Sequence, residues 1–110
     1  MNYFQPNNLN SAFDALDNNK NLIIAAGCTD LFPTTNDMSL NSNVLDITNI
    51  DSIKGFRFDN EYTKIGAATT WTDIINENLP RCYDMLKACA KEVGSIQIQN
   101  LGTIGGNICN

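Results

Sequence analysis

Leu22-Ile23-Ile24-Ala25-Ala26-Gly27-Cys28-Thr29-Asp30-Leu31 is the stretch that decides the fold class. Its apolar run, Leu22 to Ala26, is unbroken and stops at Gly27. A short continuous run of this kind reads as a strand covered on both faces, as in a parallel sheet. Upstream, Leu9, Ala12, Phe13 and Leu16 recur at the spacing of one apolar helical face. Asn7 or Asn8 can cap that helix, and Asn18-Asn19 ends it. Downstream, Asp30 to about Met38 reads as a short helix and Val44-Leu45-Asp46-Ile47 as a second strand. Helix–strand–loop–helix–strand is a βαβ-like layer.

A second group of elements begins near Ile53. Gly55-Phe56-Arg57-Phe58 and Tyr62-Thr63-Lys64-Ile65-Gly66 read as short strands, with Asp59-Asn60-Glu61 as the hairpin turn. Thr70-Trp71-Thr72-Asp73 has the form of a capping box with Asp in place of Glu, and predicts a helix to about Asn78. Pro80 breaks it. Arg81 to Val93 reads as a further helix with Met85, Leu86, Cys89, Ala90 and Val93 facing inward. Trp71 is expected in the core, and Asp30, Asp46 and Asp73 as caps or surface carboxylates. The boundary falls between Ile47 and Ile53, giving residues 1–50 as a first α/β unit and 51–110 as a mixed α+β unit.

Composition narrows the function. The 110 residues carry seven Lys and Arg against twelve Asp and Glu, a net charge of −5. That balance argues against a nucleic-acid or anionic-membrane surface. No apolar run is long enough to span a membrane, and Met1 to Pro6 shows no secretory signal. Histidine is absent, which removes Ser–His–Asp and Cys–His catalysis from the chain's own means. Cys28, Cys82, Cys89 and Cys109 include no Cys-x-x-Cys pair. No metal ligand set follows from them, and they read as reduced thiols in a cytoplasmic protein. No catalytic residue is assigned, so any chemistry must come from a cofactor or another chain.

Two segments can meet a ligand. Ala26-Gly27-Cys28-Thr29-Asp30-Leu31 joins a strand to a possible helix, where free N–H groups and the helix dipole favour phosphate. The same residues can form a tight turn with Thr29 as N-cap. Gly102-Thr103-Ile104-Gly105-Gly106-Asn107 can bring backbone close to a ligand or form an anion nest. It can equally be a glycine hinge. Neither matches the G-x-G-x-x-G fingerprint or a P-loop.

In this order, the segments resemble the FAD-binding domain of the molybdenum hydroxylases, which include xanthine dehydrogenase and the carbon monoxide dehydrogenase flavoprotein. Ala26-Gly27-Cys28-Thr29-Asp30-Leu31 resembles the family's Ala-Gly-Gly-Thr-Asp-Leu loop. Leu45-Asp46-Ile47 resembles its second strand, and Ile65-Gly66-Ala67-Ala68-Thr69-Thr70 its Ile-Gly-Ala-x-Thr-Thr segment. Gln97 to Asn107 resembles Gln-Ile-Arg-Asn-x-Gly-Thr-Ile-Gly-Gly-Asn. The resemblance implies a two-subdomain α+β FAD-binding fold: here the first α/β subdomain, a small parallel sheet with helices, plus the start of a second, mixed one. It implies FAD contacts at Ala26, Gly27, Cys28, Thr29, Asp30, Leu31, Phe32 and Pro33, and at Thr103, Ile104, Gly105, Gly106 and Asn107. Backbone amides of the two loops are expected to reach the pyrophosphate. As partners it implies a molybdopterin-binding large subunit and a [2Fe–2S] small subunit, with electrons passing through FAD to NAD or oxygen.

Cys28 stands where the family usually has glycine, and Gln99 where it usually has arginine. The family's Ser-Pro-x-x-Asp segment is expected after Asn110, and a longer or neighbouring chain is expected to complete the second subdomain. The rival reading is a truncated, non-catalytic remnant or subunit-docking module that does not bind FAD alone.

Overall fold

The computed structural model describes residues 2–27 and 43–109. Cys28, Thr29, Asp30, Leu31, Phe32 and Pro33, and the helix expected over Asp30 to Met38, lie outside the described residues.

The first region is a three-stranded parallel sheet, order β1-β3-β2, built from β1 (Tyr3–Phe4), β2 (Leu22–Ala25) and β3 (Asn43–Asp46). Central β3 pairs Val44 with Tyr3 and Ile23, and Leu45 with Phe4 and Ile24. Val44 and Leu45 are each 1% exposed. β1 is absent from the sequence reading because two residues carry no periodicity; its strand character comes from a partner some forty residues on. β2 is a parallel strand as expected, but it is not covered on both faces. It lies at the sheet edge, and Ile24 is 55% exposed.

Helix α1 (Leu9–Asn18) begins where the sequence places it. Asn8 Oδ1 accepts the Ser11 N–H at 2.8 Å, a side-chain N-cap. Asn18 and Asn19 donate their side-chain amides to the carbonyls of Asp14 and Ala15, closing the other end. Ala12 is buried, with Leu45 and Ile50, in a core joined by Phe4, Ala15, Leu22, Ile47 and Ile53. Leu9, Phe13 and Leu16 are exposed. The helix meets the sheet through its small Ala12–Ala15 side, while the bulky members of the stripe flank the contact.

The second region starts with a short 3-10 turn, Asp51–Ile53. Strands β4 (Phe56–Phe58) and β5 (Thr63–Ile65) form the antiparallel hairpin. Asp59 Oδ1 accepts the Glu61 and Tyr62 N–H groups at 2.8 and 2.6 Å, an Asx-type turn. These bonds hold the Asp59 carboxyl below its ordinary pKa.

Helix α2 (Trp71–Asn76) carries the full capping box. Thr70 Oγ1 accepts from Asp73 N, and Asp73 Oδ2 accepts from Thr70 N, both at 3.1 Å. A 3-10 turn, Arg81–Tyr83, follows Pro80 and leads into α3 (Asp84–Lys91). The second core holds Trp71, Ile74, Leu79 and Ala90, with Phe56, Tyr83, Leu86, Val93 and Ile104 against it.

The inward face of α3 differs from the sequence reading. Ala90 is fully buried and Leu86 and Val93 pack inward, but Met85 is 78% exposed and Cys89 is exposed. Tyr83, Leu86, Ala90 and Val93 form one face, and Met85 and Cys89 lie off it. Cys82, Cys89 and Cys109 are free thiols.

The glycine-rich end is helical. Helix α4 (Ile96–Leu101) is capped by Ser95, and α5 (Ile104–Ile108) by Thr103. Gln99, standing where the resembled family has arginine, is buried, and its side-chain amide donates to the Lys91 carbonyl at 3.0 Å. It satisfies an end carbonyl of α3. No helix among the described residues is long and apolar enough to cross a membrane.

Candidate functional site

Three backbone segments meet at one junction: Ala26-Gly27 at the end of β2, Gly66 to Thr70 before α2, and Leu101 to Asn107 across the α4–α5 turn. The middle segment is fixed first. Ala68 N donates to Ile53 O and Gly66 N to Gly55 O, both at 2.9 Å. Thr69 has no exposed surface, and its Oγ1 accepts the Gly55 N–H at 2.9 Å. The α4–α5 turn then pairs with it. Trp71 N reaches Gly102 O at 3.2 Å, Ile104 N reaches Thr69 O at 2.9 Å, and Gly105 N reaches Ala67 O at 2.9 Å.

The glycines are read from what a side chain there would meet. A Cβ on Gly27, at φ +96°, would lie 2.1 Å from the Leu101 carbonyl oxygen. A Cβ on Gly106 would lie 2.6 Å from Ala26 O. The two glycine-bearing segments singled out in the sequence are therefore pressed backbone to backbone. Thr103 Oγ1 bonds across the contact to Ala26 O at 2.8 Å.

That packing has a consequence for donors. The N–H of Gly106 goes to Thr103 Oγ1 at 3.0 Å, and that of Asn107 to Thr103 O at 3.1 Å. With Ile104 and Gly105 bonded to Thr69 and Ala67, the amides of residues 104–107 all have acceptors within the chain. What this turn offers a ligand is a close-packed backbone surface rather than a set of free N–H groups. Thr103 is 2% exposed, and Ile104, Gly105 and Gly106 are half-buried.

Beside the junction lies an open cleft of ≈ 490 Å³. Tyr3, Gln5, Asp46 and Thr48 line it from the first region; Lys54, Thr70, Asp73 and Asn100 line it from the second. Gly27, Leu101 and Thr103 also border it. Lys54 (whose ammonium also lies 3.4 Å from Asp51), Thr70 and Asn100 offer donors that a phosphate- and hydroxyl-bearing cofactor such as FAD can use, while the Tyr3, Gln5 and Thr48 side chains donate to Asp46. The size of the cleft is in the range of small-molecule sites.

Of the two roles the sequence offered, cap or surface carboxylate, Asp46 takes the first in accepting the Thr48 N–H and is not on the surface. It is 7% exposed. Oδ1 accepts from Thr48 N at 2.9 Å and Thr48 Oγ1 at 2.6 Å, and Oδ2 from Gln5 Nε2 at 3.3 Å and from the Tyr3 hydroxyl. A carboxylate has about four lone-pair sites, and all are taken. Burial pushes the Asp46 pKa up, but the bonds from Thr48, Tyr3 and Gln5 together outweigh it and hold the carboxyl below its ordinary value. Asp46 ties the residues of β1 and its exit to β3; it is an anchor of the cleft wall, not a free acceptor in it. Asp73 is engaged in its capping box. The cleft residues Gln5, Thr48 and Lys54 sit in no local pattern, and Asn100, although within the Gln97–Asn107 segment, was not singled out as a contact. An acid ending the apolar Val44-Leu45 run was the one available signal.

The chain is an α+β unit with a small parallel sheet, a mixed second region and a glycine junction between them. The chain belongs to the FAD-binding domains of the molybdopterin dehydrogenases: the family model described as "FAD binding domain in molybdopterin dehydrogenase" matches residues 1–110. It is 37% identical over 110 residues to the nicotinate dehydrogenase FAD-subunit of Eubacterium barkeri, covering 96% of this chain and 37% of that protein. It is 32% identical over 111 residues to the xanthine dehydrogenase FAD-binding subunit of Escherichia coli O157:H7, covering 98% of this chain and 38% of that one. Among solved structures, it superposes with a TM-score of 0.82 on a chain of the Hydrogenophaga pseudoflava carbon monoxide dehydrogenase lacking the Mo-pyranopterin moiety of its cofactor. Identity there is 27%, over 98% of this chain and 39% of that one. The chain thus spans about two fifths of the length of these relatives.

Proposed function

We propose that this chain holds part of an FAD in a multisubunit molybdenum hydroxylase. The junction at Gly27, Gly105 and Gly106 carries the reading: two distant segments give up side chains to meet, and a polar cleft opens beside them. In this reading Ala26 and Gly27 with Cys28, Thr29, Asp30, Leu31, Phe32 and Pro33 form one wall of the flavin site. Thr103, Ile104, Gly105, Gly106 and Asn107 form the other. Because residues 104–107 have their amides bonded within the chain, the donors for the pyrophosphate come from the first wall and from cleft side chains such as Lys54. FAD held here would supply the redox chemistry between iron–sulfur clusters and NAD or oxygen. A molybdopterin-binding large subunit and a [2Fe–2S] small subunit are the partners that fit this role. Titrating the full chain with FAD, followed by flavin fluorescence and amide hydrogen exchange, tests it. Saturable binding with protection at Gly27 and Gly105–Asn107 is expected. No saturation overturns the reading in favour of a docking module that binds no flavin alone; saturation without protection there overturns the assignment of the two walls.

A further inference from the structure

We propose that Thr103 is a positioning residue: its hydroxyl latches the α4–α5 turn to the end of β2 and fixes Ala26 and Gly27 against that turn. The cofactor part of this inference rests on the function proposed above; the latch itself does not. At 2% exposure Thr103 has almost no side-chain surface to give a ligand. Its hydroxyl proton goes to Ala26 O at 2.8 Å, and Oγ1 accepts the Gly106 N–H at 3.0 Å. One hydroxyl therefore satisfies an orphan donor of the α5 N-terminus and a carbonyl 77 residues away in sequence.

The backbones around it leave no slack. Gly27 approaches Leu101 O and Gly106 approaches Ala26 O too closely for a Cβ at either position. The turn cannot drift on its other side either, because Ile104 N and Gly105 N are bonded to Thr69 and Ala67. Ala26 O is thus held against a turn that is itself fixed to the α2 entry. Gly27, the next residue, is held close to the Leu101 carbonyl by the same contact. Losing the hydroxyl takes this partner from the Gly106 N–H and the Ala26 carbonyl, both half-buried.

Thr103→Val, which keeps shape, and Thr103→Ser, which keeps the hydroxyl, test this in the full chain. Two readouts are used: hydrogen exchange of the Gly106 amide by NMR, and FAD affinity by fluorescence titration. Thr103→Val is expected to speed Gly106 exchange and to weaken FAD binding by about tenfold, with Thr103→Ser close to wild type in both. Wild-type Gly106 protection and FAD affinity in Thr103→Val overturn the proposal. So does Thr103→Ser behaving like Thr103→Val, which assigns the effect to the methyl group. If Thr103→Val does not fold, Thr103→Ser decides by the same two readouts: retained protection and affinity support the latch, and their loss overturns it. If wild type binds no FAD, the functional reading fails separately, and Gly106 exchange still decides the latch.

Discussion

Gly27 and Gly55 both hold φ in the left-handed region, at +96° and +91°, but in different surroundings. A Cβ on Gly55 would meet nothing within 4 Å, whereas one on Gly27 would run into the Leu101 carbonyl at 2.1 Å. At the hairpin the glycine answers only to its own dihedral angle. At the junction it answers to the dihedral and to a second stretch of chain. Gly106 completes the series: it lies outside the left-handed region, yet a Cβ there would meet Ala26 O at 2.6 Å. The same residue type is thus required for backbone conformation, for packing, or for both. The places where packing demands it mark where the candidate site is built.

Single Gly→Ala substitutions separate these causes. Gly27→Ala is expected to be the most damaging, combining about 1–2 kcal/mol of left-handed strain with about 1–3 kcal/mol of overpacking. Urea denaturation should show it; a loss under about 1 kcal/mol would mean that the junction yields and the comparison fails. Gly106→Ala carries the overpacking cost alone, offset by about 1 kcal/mol of helix propensity. It should lower stability less than Gly27→Ala while disturbing FAD binding in the same titration. A Gly106→Ala protein that binds flavin as well as wild type would separate the packing from the site. Gly55→Ala should cost about 1–2 kcal/mol and leave flavin binding untouched; altered binding would show that strain at Gly55 passes into the junction through its bonds to Thr69 and Gly66.

The smallest expected effect is in acid and concerns Asp46. Its folded pKa lies below its ordinary value, so the stabilisation it brings is present above the unfolded value of about 3.9 and fades as pH falls through the folded one. Wild type should therefore lose stability over that interval more steeply than Asp46→Asn. Parallel pH profiles for the two proteins would show that the four hydrogen bonds do not favour the charged form.

What could be read in advance follows the range of the interactions. The Thr70–Asp73 capping box, the Asn8 cap and the Asp59 turn close within two or three residues, and each was legible. The inward face of α3 was not, because periodicity shows that a helix has an apolar side but not which of Met85, Leu86 and Cys89 the neighbours will cover. The glycine-rich end was misread as loop for a related reason. Glycine disfavours helix by about 1 kcal/mol, and α5 forms with its first amides bonded to Thr69 and Ala67.

By itself the sequence determined the α/β start, the hairpin, the caps, and two glycine segments in an order that resembles a flavin domain. These rest on dihedral preference and short-range hydrogen bonds, which travel with the residues. Only the tertiary structure decided that β1 exists, that Asp46 is buried with every lone pair filled, and that the two glycine segments touch. It also decided that residues 104–107 spend their amides on the chain itself. The physical reason is that a hydrogen bond's donor and acceptor need only meet in space. Between Thr103 and Ala26 lie 77 positions of sequence, and no local pattern spans them.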